Sequence, residues 1–131
     1  MSFGVCIKTI PHSEQRYNTV GDYFVEPDVK TLNVCVSNLN NWKYEALVSV
    51  HELVEMILCE ARSIKDADIT QFDKAFSGDG EPGDAPDAPY RKEHFFATSI
   101  ERLLAAELGV DWLKYGEAID CLNYERPLER D

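Results

Sequence analysis

At residues 38–41, Asn-Leu-Asn-Asn, the hydrophobic period of the chain changes, and that change restricts the fold more than any other feature. Before it, residues 3–10, 22–26 and 30–37 are rich in β-branched and aromatic side chains and read as strands. In the last of these, Leu32, Val34 and Val36 alternate with Thr31, Asn33, Cys35 and Ser37, the period-2 pattern of a half-buried strand. Glu26-Pro27-Asp28 supplies turn chemistry, and residues 12–21 form a polar connection after Pro11. Beyond the asparagines, which offer N-caps, residues 42–63 set Leu47, Val50, Val54, Ile57, Leu58 and Ala61 on one broad helical face. Residues 70–76 read as a short helix capped by Thr70, and residues 90–108 as a second long helix closed by Gly109. A third helix runs from a cap at Asp111 through Leu122. Strands early and helices late, without alternation, predict an α+β fold: a small N-terminal antiparallel sheet packed on two long helices, with a shorter C-terminal helix.

With 131 residues the chain suits a single domain over 1–131. Residues 77–89 hold three Gly, three Pro, four acids and no base, a loop composition. The loop is internal, because the helix after it would have too little to pack on alone. The polar stretch 123–131 reads as a loose tail.

Asp and Glu number 24 against 13 Lys and Arg, a formal charge of −11. That excludes a non-specific nucleic-acid binder, whose affinity rests on basic side chains at phosphates, and it opposes docking on an anionic membrane. No apolar run approaches the roughly 20 residues of a spanning helix. No secretory leader is visible in MSFGVCIK, and none of the cysteines at 6, 35, 59 and 121 has C-x-x-C spacing. The expectation is therefore reduced thiols in a cytoplasm, with Cys6, Cys35 and Cys59 as small buried hydrophobes in apolar runs.

His51-Glu52-Leu53-Val54-Glu55 carries the chemistry. His51 and Glu55 lie four apart on a helix and point the same way, about 40° apart, into the apolar face beside Leu47, Val48 and Leu58. An ionised carboxylate buried alone is expensive, and a shared cation is the simplest partner for both groups. Glu52, about 100° round at the edge of this face, can reach a water on that cation without being a ligand. On the later helix His94 has Thr98 and Glu101 within about 40° and the small residues Ala97 and Ala105 nearby, so another helix can approach closely. If the two helices pack, His94 completes a set of two His and one Glu and leaves a fourth position open, as in catalytic zinc sites. Plainer readings stand beside each of these. The His51–Glu55 pair is also a common helix ion pair, His94 a satisfied core histidine and Glu101 a partner for an Arg. His12 reads as an exposed histidine, and the acidic loop as a solvated segment or a lid.

His51-Glu52-x-x-Glu55 resembles the H-E-x-x-H helix of the zincin metallopeptidases, with the second ligand changed from His to Glu. In the gluzincin branch a Glu from a later helix completes the set, and here His94 would restore the same donors with the positions exchanged. The order of sheet, motif helix and ligand helix over roughly residues 20–105 is also similar to a minimal zincin core. The resemblance implies a zinc hydrolase of peptidase type, with Glu52 as general base, His51, Glu55 and His94 as ligands, and a peptide or protein as substrate. Another divalent transition metal is the alternative cofactor. The whole chain further resembles a family of small bacteriophage and prophage proteins in Pro11-His12-x-x-Gln15-Arg16-Tyr17, His51-Glu52-Leu53-Val54-Glu55, Glu81-Pro82-Gly83-Asp84 and Pro89-Tyr90-Arg91-x-x-His94, which implies expression in a bacterial host.

Two other functions compete. One is a non-enzymatic acidic interaction protein, with a structural metal or none, that modulates a host protein by meeting a basic surface. The other is a helical nucleotide pyrophosphohydrolase holding Mg²⁺ on Glu52-x-x-Glu55 and Glu117-x-x-Asp120, which the strand-like first third opposes.

Overall fold

The computed structural model describes residues 3–26, 28–78 and 80–125, with the backbone alone for Tyr124 and Glu125. It is α+β. Three strands, β1 (Gly4–Ile10), β2 (Gly21–Glu26) and β3 (Thr31–Ser37), are followed by four helices, α1 (Trp42–Ala61), α2 (Asp66–Ala75), α3 (Arg91–Leu108) and α4 (Trp112–Glu125). No helix among the described residues is long and apolar enough to cross a membrane.

The sheet order is β1-β3-β2, with β2 antiparallel to β3 and β1 parallel to it. The sheet is thus mixed, where a purely antiparallel one was expected. A short turn makes β2 and β3 a hairpin, so β1 can join only at the far edge of β3 or beside β2. It takes the edge of β3. The segment 11–20 then stays at the end of the sheet where β3 finishes: Ser37 N–H donates to Val20 O and Asn38 N–H to Ile10 O, both at 2.7 Å. Because β2 is the return leg, the parallel pair needs no crossover helix.

Lying centrally, β3 is buried on both faces rather than half-buried. Leu32, Val34 and Val36 join the main core, while Gln15 extends its amide to Cys35 O and Ser37 Oγ, each at 3.1 Å. His12 fastens the same segment, with Nδ1 2.7 Å from Ser37 Oγ and Nε2 2.9 Å from Asn18 Oδ1. It is a structural histidine, half-buried instead of exposed. Helix α1 lies over β2 and β3 and leaves β1 uncovered. Val5 and Ile7, which share a face with Leu32 and Val34 by register, therefore stay 55% and 45% exposed. Cys6 is exposed too, against the expectation of burial, whereas Cys35 and Cys59 are buried.

Helix α1 starts where the asparagines predict, with Asn41 Oδ1 accepting from Lys43 and Tyr44 N–H. It ends at Ala61, and Ser63 takes a left-handed φ of 56°. Helix α2 begins at Asp66 rather than at Thr70, since Asp66 and Asp68 in its first turn complement the helix dipole. Helix α3 ends as expected on left-handed Gly109, and Asp111 caps α4 through Lys114 N–H. Helix α4 runs on to Glu125, so the first residues of the expected loose tail are helical, and the rest of that tail lies outside the described residues.

Candidate metal centre

Helices α1 and α3 pack more extensively on each other than any other two helices. Their contact inverts the usual polarity of α3. Glu93, His94 and Glu101 are buried with Ala97 and Ala105, while Phe95 and Leu103 are 73% and 66% exposed. The two alanines, at zero and 2% exposure, let the helix backbones come close enough for opposing polar side chains to meet. On α1 the buried residues, shared between α3 and the sheet, are Leu47, Val48, His51, Glu55, Met56 and Cys59.

The structure brings His51, Glu55 and His94 together, all buried. His51 Nε2 is 3.0 Å from Glu55 Oε2 and 3.2 Å from His94 Nδ1, and His94 Nδ1 is 3.0 Å from Glu55 Oε2. Bonds of about 2.0–2.1 Å to a tetrahedral ion set its donor atoms about 3.3 Å apart, so the triangle already has nearly that size. The atoms turned away from the triangle are also engaged. His51 Nδ1 is 2.7 Å from Glu101 Oε1, and Tyr115 O–H donates to the other oxygen of Glu101 at 2.5 Å. Tyr23 O–H donates to Glu55 Oε1 at 2.8 Å. His94 Nε2 has Glu81 Oε2 at 2.9 Å and Asp84 Oδ1 at 3.3 Å, ion-pair contacts lying off the line of an ideal N–H hydrogen bond. Carboxylates behind ligating imidazoles fix ring orientation and raise ligand basicity.

Protonation follows from these contacts. Burial pulls the His51 imidazole down, but Glu101 and Glu55 outweigh it and hold the group well above its ordinary value. His94 behaves likewise and is raised to about 10 by Glu55 and Glu81 against the pull of burial. Burial would raise Glu55, but the two imidazoles overcome it and lower the carboxyl to about 2. A metal ion has to displace the protons that these rings otherwise carry.

Glu52 lines the same cavity, about 200 Å³ in volume, as the three donor residues. Its carboxylate lies on Gly21, where a Cβ would stand 2.5 Å from Oε1. Burial, and next the nearby Glu55, push the Glu52 carboxyl well above the usual range.

Sequence reasoning placed the three donors and Glu52 but missed what surrounds them. Glu101 meets His51 and not an arginine. Tyr23 and Tyr115 carried one usable signal: a tyrosine at an inward position needs a partner for its hydroxyl. The acidic loop is more than a connection. Its short 3-10 turn, Pro82–Asp84, buries Gly83 against His94, where a Cβ would stand 2.5 Å from Nδ1 of the ring. Gly83→Ala should therefore tilt His94 and weaken zinc binding about 10–100-fold in a chelator competition, the usual effect of disturbing a ligand's support. Gly116→Ala, where a Cβ meets open space, should leave affinity unchanged. Equal affinity in the two variants would show that the turn does not set the ring.

Asp73 ties α2 to the rest of the cavity wall, accepting from Tyr17 O–H at 2.7 Å and from Tyr90 O–H. Burial raises its carboxyl from 3.8 to about 6, against the lowering effect of the two hydroxyls. The folded chain thus holds this proton more tightly than the unfolded chain, and stability falls as pH rises from about 4 to about 6. Urea unfolding should show the wild type losing about 2–3 kcal/mol relative to Asp73→Asn between pH 4 and pH 7. A constant difference would mean that Asp73 is not held in its neutral form.

No protein-family model matches the chain, and no curated protein and no solved structure matches it.

Proposed function

We propose that the protein is a zinc-dependent hydrolase with a zincin-like active site, acting on peptide bonds. The observation that supports this reading is the triangle of His51, Glu55 and His94 donor atoms, 3.0–3.2 Å on a side, facing a cavity that Glu52 also lines. Two imidazoles and one carboxylate suit zinc. A bound zinc ion would supply Lewis-acid polarisation of the substrate carbonyl. The chain's own residues do the rest. Glu101 and Tyr115 aim His51, the 81–84 turn aims His94, and Tyr23 holds one oxygen of Glu55 so that the other faces inward. Glu52 accepts a proton from the attacking water and delivers it to the leaving amine, so that a C–O bond forms as the C–N bond breaks. Gly21 leaves the space in which that carboxylate lies.

The sheet of residues 4–37 disfavours the all-helical pyrophosphohydrolase reading, and of its second acid pair Asp120 lines the cavity while Glu117 is exposed away from it. Elemental analysis of protein purified without a metal-affinity tag tests the metal: about one equivalent of zinc per chain is expected. Cleavage of a mixed peptide library, abolished by chelation and restored by zinc, tests the hydrolase. A zinc-free, inert protein would defeat the reading and leave an acidic interaction protein.

A further inference from the structure

We propose that the group this cavity binds beside the scissile bond is cationic, an ammonium or guanidinium seated where α2 and α4 form its wall. The claim names the substrate class of the hydrolase proposed above and rests on that reading for the bond cut, but not for the charge bound.

Among the described residues, eight Asp and Glu side chains line the cavity and no Lys or Arg does. The acids do not by themselves make the site, which the donor triangle already provides; they set its sign. Arg16, from outside the lining, pairs with Asp22 at 2.6 Å and Asp66 at 3.3 Å. Even with those pairs and a divalent cation on the triangle, the carboxylates outnumber the positive charges. In a recess with low-dielectric walls such an excess is felt more strongly than on an open surface. A phosphate or carboxylate entering it would find no Lys or Arg among the described lining residues to meet it.

The second observation is independent of charge. Thr70 on α2 and Asn123 on α4 line the cavity, and Thr70 Oγ1 and Asn123 Oδ1 are buried without a hydrogen-bond partner among the described residues. Orphaned buried oxygens are costly, and a ligand rich in N–H groups relieves them. An ammonium has three donors and a guanidinium five, and neither has an acceptor. Asp66 is one turn before Thr70 on α2, and Asp120 one turn before Asn123 on α4, so each orphaned oxygen has a carboxylate beside it on the same helix face. The volume of about 200 Å³ is below the range of drug-sized pockets and suits one side chain.

The test uses the full chain, with zinc content measured first, and titrates it with argininamide, leucinamide, glutamine amide of matched length and the tripeptide Gly-Arg-Gly. Each titration is run with one equivalent of zinc and again in chelator. The basic probes should bind at least about 10-fold more tightly than the neutral ones under both conditions, because the carboxylates are present with or without the ion. Asp120→Asn should remove most of that preference and leave zinc content unchanged. Binding of either argininamide or Gly-Arg-Gly supports the assignment, and the tighter of the two shows whether a free amino acid or a chain is the source. Equal binding of basic and neutral probes, or a preference that survives in Asp120→Asn, overturns it. A chain without zinc that still prefers the basic probes would overturn the hydrolase reading alone.

Discussion

Zinc should be lost completely in His51→Ala, from about one equivalent per chain to less than about a tenth. The side chain sits at the centre of the constellation. Nε2 faces Glu55 and His94 across 3.0 and 3.2 Å, and Nδ1 meets Glu101 at 2.7 Å. Of the chain's other two histidines, His94 already occupies another corner of the triangle and His12 is held on Ser37 and Asn18. Removing His51 also strips two buried carboxylates of a partner, which costs about 3–5 kcal/mol in comparable sites and threatens the fold itself. Glu55→Gln guards against that outcome. It keeps the shape and an acceptor for the Tyr23 hydroxyl but removes the anionic ligand, so a folded chain with weakened zinc binding is expected. Thermal unfolding gives an independent readout. The wild type should gain about 2.7 kcal/mol at a zinc concentration 100 times Kd, and the folded variant almost nothing under the same conditions. A full equivalent of zinc retained in either folded variant would place the metal elsewhere.

Glu52→Gln should keep zinc and stability while slowing hydrolysis about 10²–10⁴-fold, the usual contribution of a positioned general base. The residue following the first ligand points to the side of the metal rather than at it, since one helical step turns a side chain by about 100°. Without a metal, burial and next Glu55 favour the protonated form of the Glu52 carboxyl; a cation on the triangle would favour the carboxylate, the form that can take a proton from water. The amide introduced by the substitution would fill the same place over Gly21 without the ability to take a proton. Unchanged turnover in a zinc-loaded Glu52→Gln chain would assign the base elsewhere. Unchanged metal with no turnover in the wild type would reduce the centre to a staple between α1 and α3.

His51 and Glu55 were legible as a pair because both the spacing and the direction of neighbours on one helix are fixed by that helix alone. His94 was legible as a donor on the other long helix, for the same reason. Glu101, seven residues on, lies on the same face of α3, yet its partner was misread. Whether it meets an arginine or His51 depends on how far α3 slides along α1, and Ala97 and Ala105 decide that by letting the backbones approach. The loop holding the turn at 81–84 read as a solvated segment or a lid, since Gly, Pro and acids describe any exposed loop, and only the folded chain shows Gly83 beneath an imidazole.

The same division holds for the sheet and the cavity. The alternation in residues 30–37 and the helical period after Asn41 determined the class of the fold, the element types and the caps at Asn41, Gly109 and Asp111, though not the start of α2, all through contacts between residues near in sequence. The tertiary structure decided that β1 joins β3 in parallel, that β3 is covered on both faces, and that Val5, Cys6 and Ile7 are left exposed. It also gathered carboxylates from β2, all four helices and the acidic loop around one recess. Those outcomes depend on which surfaces meet, and a surface is completed only when elements far apart in the chain are packed together, so no local pattern of residues could encode them separately.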